Sequence, residues 1–285
     1  MTRVPDKSLQ TYRARTYKTA PGTRLQTLDD ALAFVEARGF ATLWPIQSFD
    51  LPSLWTAVAG DRPVADEHDD PGHITWSWKD QMLDKRQWYY GKLLRGKATL
   101  VSLEVIPVFY ALSDRVAEID DYRLAYEDGH LTYEAYRVAE ALLRNGPQHT
   151  IQLRRLAHLS AGQSKSRFNK AIADLQRGLW VVPIGIAEAG AWRYAFIYEL
   201  FDRWFTNVAA QARPITLADA RTTLACRYLD SVGAATAQDI GRLFRWRIKE
   251  TDKALQKLAD ESLAVPCEDK RWATAKLWDG SPRME

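Results

Sequence analysis

The chain has 285 residues, of which 46% are hydrophobic and 26% charged. That excludes a disordered chain and leaves room for two or three packed modules of about 100–150 residues. A net charge of only +3 means that any attraction for a polyanion must come from local patches. Cys226 and Cys267 belong to no CxxC pair, so they form either one disulfide or, in a reducing compartment, two buried thiols. The N-terminus has no apolar signal segment, and no apolar run reaches the roughly 20 residues of a membrane helix. A cytoplasmic protein without membrane contact is expected. The totals say nothing of oligomeric state.

Between Met1 and Gly22 stand Arg3, Lys7, Arg13, Arg15 and Lys18 against one acid, Asp6. Pro5 and Pro21-Gly22 discourage regular structure there. Residues 1–24 therefore read as a basic arm, which either follows phosphates or hangs free. The run LDDALAFVEARGF predicts a helix, with acids at its start and Gly39 at its end. Next, ATLWPIQSFDLPSLWTAVAG predicts a buried strand, then a helix that Pro52 starts. Gln47 and Asp50 are the polar residues embedded in this apolar stretch. They hold either loop hydrogen bonds or a task.

The acidic loop over 61–73 contains Glu67, His68, Asp69, Asp70 and His73. It lacks the helical His spacing of an HExxH site, so a capped surface loop is expected and no metal or other cofactor is assigned. A helix over about Trp78–Leu94 and a strand over Thr99–Val105 follow. There Trp76, Trp78, Trp88, Tyr89 and Tyr90 interleave with Lys79, Lys85, Arg86, Lys92, Arg95 and Lys97. Such a mixture suits base stacking, or equally core aromatics overlaid by long basic side chains. An acidic helical connector ends this first, winged-helix-like unit, 25–130.

Residues 131–205 have the order of a winged helix. Tyr136, Ala139, Leu142 and Leu143 recur at helical spacing before Gly146-Pro147, and Ile151, Leu153 and Leu156 mark a second short helix. A third helix buries Phe168, Ile172 and Leu175, has Ser164 or Ser166 as its cap, and ends at Gly178. Two β-rich runs around Glu188-Ala189-Gly190 then form a hairpin. Lys165, Ser166, Arg167, Asn169 and Lys170 crowd the start of the third helix, and Arg154 and Arg155 lie on the second. A helix-turn-helix directs those positions at bases and phosphates; an ordinary solvated basic face has the same composition.

The order recurs in 206–285. Thr216 caps a long helix, two further helices follow, and the tail EDKRWATAKLW supplies a wing. Arg242, Arg245, Arg247, Lys249 and Lys253 again surround the last helix. The expected class is mainly α with small β-hairpin wings, an α+β fold of tandem winged-helix modules. Tandem basic modules make a long footprint, and double-stranded DNA is the expected partner.

The run IQSFDLPSLW, the tandem modules, and GPQHTIQLRRLAHLS followed by SRFNKAIADLQ resemble the winged-helix DNA glycosylases of the AlkZ (YcaQ) type over about residues 25–265. The resemblance implies excision of alkylated or crosslinked bases from DNA, through a Gln-x-Gln or Gln-x-Asp motif behind an N-terminal strand. Gln47 takes the motif's first position. Phe49 occupies its last, and the acid comes one residue later at Asp50. The resemblance also implies a C-terminal β-barrel, for which the chain, ending at Glu285, leaves no room. Gln47 and Asp50 are thus the catalytic candidates for orienting water in base excision. A non-catalytic DNA-binding regulator or damage sensor is the alternative reading, and a protein-docking module is a weaker third.

Overall fold

A computed structural model describes residues 3–113, 115 and 118–278. The basic N-terminal segment is largely helical: α1 (Asp6–Thr16) follows Pro5. Leu9, Tyr12 and Thr16 lie three and four residues apart and are buried, the spacing of one helix face. Tyr12 Oη donates to the carbonyl of Asp230 and Thr16 Oγ1 to that of Ser231, at 2.8 and 2.7 Å. The expected irregular arm is therefore corrected. Pro5 fits the residue before a helix, where its missing N–H costs nothing.

Thr27 and Asp30 cap α2 (Leu28–Arg38) reciprocally: Thr27 Oγ1 accepts from the Asp30 amide at 3.1 Å, and the Asp30 carboxylate from the Thr27 amide at 2.9 Å. Gly39 ends the helix at φ +77°, a conformation that favours glycine. Then come β1 (Phe40–Thr42), α3 (Leu54–Ala59), α4 (Ile74–Met82), β2 (Trp88–Gly91) and β3 (Thr99–Ser102). Ser53, not Pro52, caps α3.

The helix expected over Trp78–Leu94 stops at Met82, and Trp88–Gly91 is a strand. Its side chains feed two cores: Trp88 packs with Trp78 and Leu100, and Tyr89 with Phe40 and Val101. A strand buried on both faces shows no alternation, which hides it among apolar helix patterns.

After α5 (Ile106–Ala111) and α6 (Tyr122–Glu127), the second unit runs α7 (Tyr133–Asn145), β4 (Gln148–His149), α8 (Thr150–Leu156), α9 (Lys165–Arg177), β5 (Val181–Ala187) and β6 (Ala195–Leu200). Short helices α10 (Phe201–Trp204) and α11 (Val208–Ala212) lead to the third: α12 (Leu217–Val232), β7 (Ala234–Thr236), α13 (Ala237–Phe244), α14 (Ile248–Asp260), β8 (Ala264–Pro266) and β9 (Arg271–Thr274).

Each unit thus repeats helix, strand, helix, helix, strand, strand. In each, the last strand lies between the other two in an antiparallel sheet, pairing Phe40 with Val101, Gln148 with Tyr198, and Ala234 with Ala273. The fold is α+β, dominated by helix. The first and third units share one core, in which Phe40, Tyr89 and Ile106 pack with Leu224, Tyr228 and Leu243. The second has its own core around Val138, Leu142, Phe168 and Leu175. Both cysteines are free. Among the described residues no helix is long and apolar enough to cross a membrane.

Candidate nucleic-acid interface and base pocket

Helix α9 is amphipathic in the way its sequence dictates. Phe168, Ala171, Ile172 and Leu175 are buried, while Lys165, Ser166, Arg167, Asn169 and Lys170 are exposed in its first half. Ser164 holds the N-cap position but its side chain bonds no helix amide; its hydroxyl lies 2.6 Å from the carbonyls of both Leu159 and Ala161, which share its one proton. The first turn carries no acid, so a phosphate there meets the helix dipole without competition.

The arginines nearby divide. Arg154 clasps the turn between α8 and α9: its Nε donates to the Leu159 carbonyl at 3.2 Å, and its guanidinium lies 5.8 Å from the Phe168 ring centroid. That makes Arg154 a support of the turn more than a free phosphate ligand. Arg155 is exposed, its Nη1 donating to Gln152 Oε1 at 3.3 Å. Arg167 pairs with Glu134 at 3.0 Å, which leaves Lys165 and Lys170 the freer cations. At the turn between β5 and β6, Trp192 is 91% exposed.

In the third unit, Arg247 and Lys249 are exposed at the start of α14. Arg245 closes α13 in the left-handed region, at φ +62°. It faces a cavity of about 310 Å³ where all three units meet, lined also by Arg95, Arg177, Arg221, Trp246 and Glu250. Glu250 pairs with Arg221 at 3.0 Å, and Asp174 with Arg177 at 2.9 Å. Burial, then the nearby Arg177 and Arg95, hold the pKa of Arg245 below its ordinary value. Arg177 lies seven residues beyond Lys170, on the same stripe of α9. The exposed face of that helix therefore leads into this cleft. Arg95, Arg177 and Arg221 come from three different units, so no local pattern marks them in the sequence.

Gln47 rides on a loop closed at its base. The Thr42 amide donates to the Pro52 carbonyl at 3.1 Å, and the Trp55 amide to the Leu43 carbonyl at 3.0 Å. A tight turn, Phe49 amide to Ile46 carbonyl at 3.1 Å, leaves Gln47 and Ser48 exposed at the tip. Beside them is a cavity of about 410 Å³ lined by Trp44, Pro45, Ile46, Gln47, Ser48 and Lys97. Trp44 is backed by Trp55 at 5.3 Å, His73 at 5.8 Å and Trp76 at 6.2 Å between ring centroids. Asp50 does not line this cavity; its carboxylate pairs with Arg13 of α1 at 2.8 Å. Phe49 bridges the loop to the basic cleft, with the guanidinium of Arg95 at 5.7 Å and that of Arg242 at 5.3 Å from its ring centroid. The residue that breaks the Gln-x-Asp spacing is thus the one joining Gln47 to the arginines.

The acidic loop is held by local bonds. Asp70 accepts from Arg62 at 2.6 Å and from the Gly72 amide at 2.7 Å, while His73 meets the Ala65 carbonyl at 3.1 Å. Lys79, one of the interleaved bases, is fully buried. Its ammonium donates to Tyr194 Oη at 2.8 Å, contacts Asp80, and sits 4.3 Å from the Trp76 centroid. Burial pushes its pKa down. Lys79 pins α4 to the hairpin of the second unit and is no surface base.

Residues 25–245 match the family model described as AlkZ-related. The chain belongs to that family. Among solved structures it is similar to Streptomyces sahachiroi DNA glycosylase AlkZ, with a TM-score of 0.60 and 14% sequence identity, over 98% of this chain and 72% of that one. At that identity the likeness is one of fold. Comparison with curated proteins gives no match.

Proposed function

We propose that this protein binds double-stranded DNA and excises alkylated or crosslinked bases by hydrolysing the N-glycosidic bond, acting in the cytoplasm on nucleoid DNA and without a cofactor. The reading takes 25–130, 131–205 and 206–285 as three winged helices. One observation carries it: Phe49 lies against Arg95 and Arg242 two residues from Gln47, so a base-sized cavity adjoins a basic cleft fed by the exposed face of α9. Family membership and the fold shared with a DNA glycosylase support it.

In this reading Lys165, Ser166, Asn169 and Lys170 meet the duplex, with Arg155, Arg245, Arg247 and Lys249 on phosphates. The extruded nucleotide enters beside Trp44. A base alkylated at N7 is positively charged, so it stacks favourably on an indole face and departs without needing a proton. The Gln47 amide oxygen accepts a hydrogen bond from water and aims it at the sugar carbon as the base leaves; an amide orients water but takes no proton from it. The proton shed as the new C–O bond forms therefore passes to solvent at this exposed loop tip.

The test is a duplex containing N7-methylguanine, assayed for abasic sites. The wild type should form them, and Gln47→Ala should slow formation by about 10²-fold. A non-catalytic damage sensor is the second reading, favoured by the engagement of Asp50 with Arg13 away from the Gln47 cavity. Tight binding of that duplex with no abasic product would establish it instead.

A further inference from the structure

A further cavity lies elsewhere. It encloses about 800 Å³ between α1, α2 and α12 and shares no residue with the basic cleft or the Gln47 pocket. Six cations line it: Arg15, Lys18, Arg24, Arg38, Arg227 and Lys276. Only two carboxylates do, and both are committed. Asp30 accepts from the amides of Gln26 and Thr27 at 3.0 and 2.9 Å. Asp230 accepts from Thr274 Oγ1 at 2.6 Å and pairs with Lys276.

Of the remaining cations, Arg227 pairs with Glu104 at 2.6 Å, and Arg38 spends one N–H on the Asp230 carbonyl at 3.1 Å. Arg15, Lys18 and Arg24 form no ion pair among the described residues. Proteins usually intersperse such cations with acids, because like charges gathered in a concavity repel more strongly than on an open surface. Burial opposes the charge of Arg38, Tyr12 and Asp230 offset part of that, and Arg227 and Arg15 add to it. The volume falls in the range of ligand pockets, and Tyr12 and Phe34 supply apolar wall.

We propose that this cavity is a binding site for a small anion bearing several phosphates, separate from the DNA interface. Guanidinium groups take phosphate oxygens two at a time, and Arg15 and Arg38 line the space together with Arg24, whose guanidinium packs beside Gly60. Free oligophosphate and a nucleoside triphosphate carry the same recognisable chemistry.

Calorimetric titration of the whole chain with inorganic tripolyphosphate, ATP and adenosine tests this. Tripolyphosphate and ATP should bind and adenosine should not. Equal affinity for the two anions identifies a site for phosphate alone, and tighter ATP binding a nucleotide site. The double variant Arg15→Ala, Arg24→Ala should weaken both by about tenfold or more; should it unfold, Arg24→Glu, a single exposed change, should do the same. Lys170→Ala with Arg245→Ala should leave both affinities unchanged. The proposal is overturned by no binding to the wild type, by unchanged binding in the cavity variants, or by a saturating DNA duplex that displaces tripolyphosphate. The last result would make these cations part of the DNA track. Because the duplex and tripolyphosphate arms are read separately, failure here leaves the DNA reading intact.

Discussion

Nη2 of Arg13 lies 2.8 Å from Oδ2 of Asp50, joining α1 to the loop that carries Gln47. The same guanidinium donates through Nε to the Val232 carbonyl at 2.9 Å, so it ties the loop to the third unit. Asp50 therefore anchors one end of the loop, and Gln47 faces the cavity at the other. Asp50→Ala should cost less than about 1 kcal/mol of stability, as loss of an exposed ion pair does, and should change excision only about two- to threefold. Gln47→Ala should lose about 10²-fold with no change in melting temperature. Equal losses in the two variants, both stably folded, would return Asp50 to the chemistry.

In the proposed DNA complex, Lys170 and Arg154 separate phosphate contact from support. Lys170 is exposed on α9, whereas Arg154 is spent on the Leu159 and Ser160 carbonyls of the turn after α8. Lys170→Ala should lower the slope of log affinity against log salt by about 1 and leave the melting temperature alone. Arg154→Ala should lower the melting temperature and keep the slope. Gel shifts across a salt series and a thermal melt of each variant decide it; the opposite pattern would exchange their roles.

Where local chemistry dictates structure, the sequence shows it. The Thr27–Asp30 box, the Gly39 stop and the Phe168, Ile172, Leu175 stripe place α2 and α9 within a residue or two. Trp88-Tyr89-Tyr90 is opaque because that strand is buried on both faces. The two-residue strand β4 is too short for any periodicity. Helix α1 is hidden because Leu9, Tyr12 and Thr16 form a thin stripe among basic residues, and its burial needs partners 215 and 218 residues away in sequence. The same distance in sequence hides the arginine cleft. Arg95, Arg177, Arg221 and Arg245 converge through tertiary packing alone, while Gln47 and Phe49 were visible as a motif and its departure.

Docking of α1 has a direct consequence. Leu9 and Tyr12 share a core cluster with Ala234, Cys267, Ala273 and Leu277, and Cys267 is 5% exposed. Deleting residues 1–16 removes that cover, including one leucine whose burial alone contributes about 1.5–3 kcal/mol. A lowered melting temperature and rapid reaction of Cys267 with a thiol reagent are expected, while the full chain reacts slowly there. If the truncated chain keeps its stability and Cys267 stays protected, the helix is a loose arm after all.

Glu140 gives the second unit a signature in acid. It is 7% exposed on α7 and accepts from Tyr122 Oη at 2.6 Å, Arg123 Nη2 at 3.1 Å and Arg144 Nε at 2.6 Å. Burial by itself would raise its pKa; the three donors outweigh it and hold the carboxyl below its ordinary 4.5. The unfolded chain therefore takes up this proton at a higher pH than the folded one. Its contribution to stability is complete above about 4.5 and drains away as pH falls through the lower folded value. Denaturant unfolding followed from pH 7 downward should show stability declining below about pH 5. Glu140→Gln should be less stable at pH 7 by about 1–3 kcal/mol and should decline less steeply in the acid range. Curves for wild type and variant that run parallel from pH 7 to pH 3 would mean that this carboxylate does not carry the acid sensitivity.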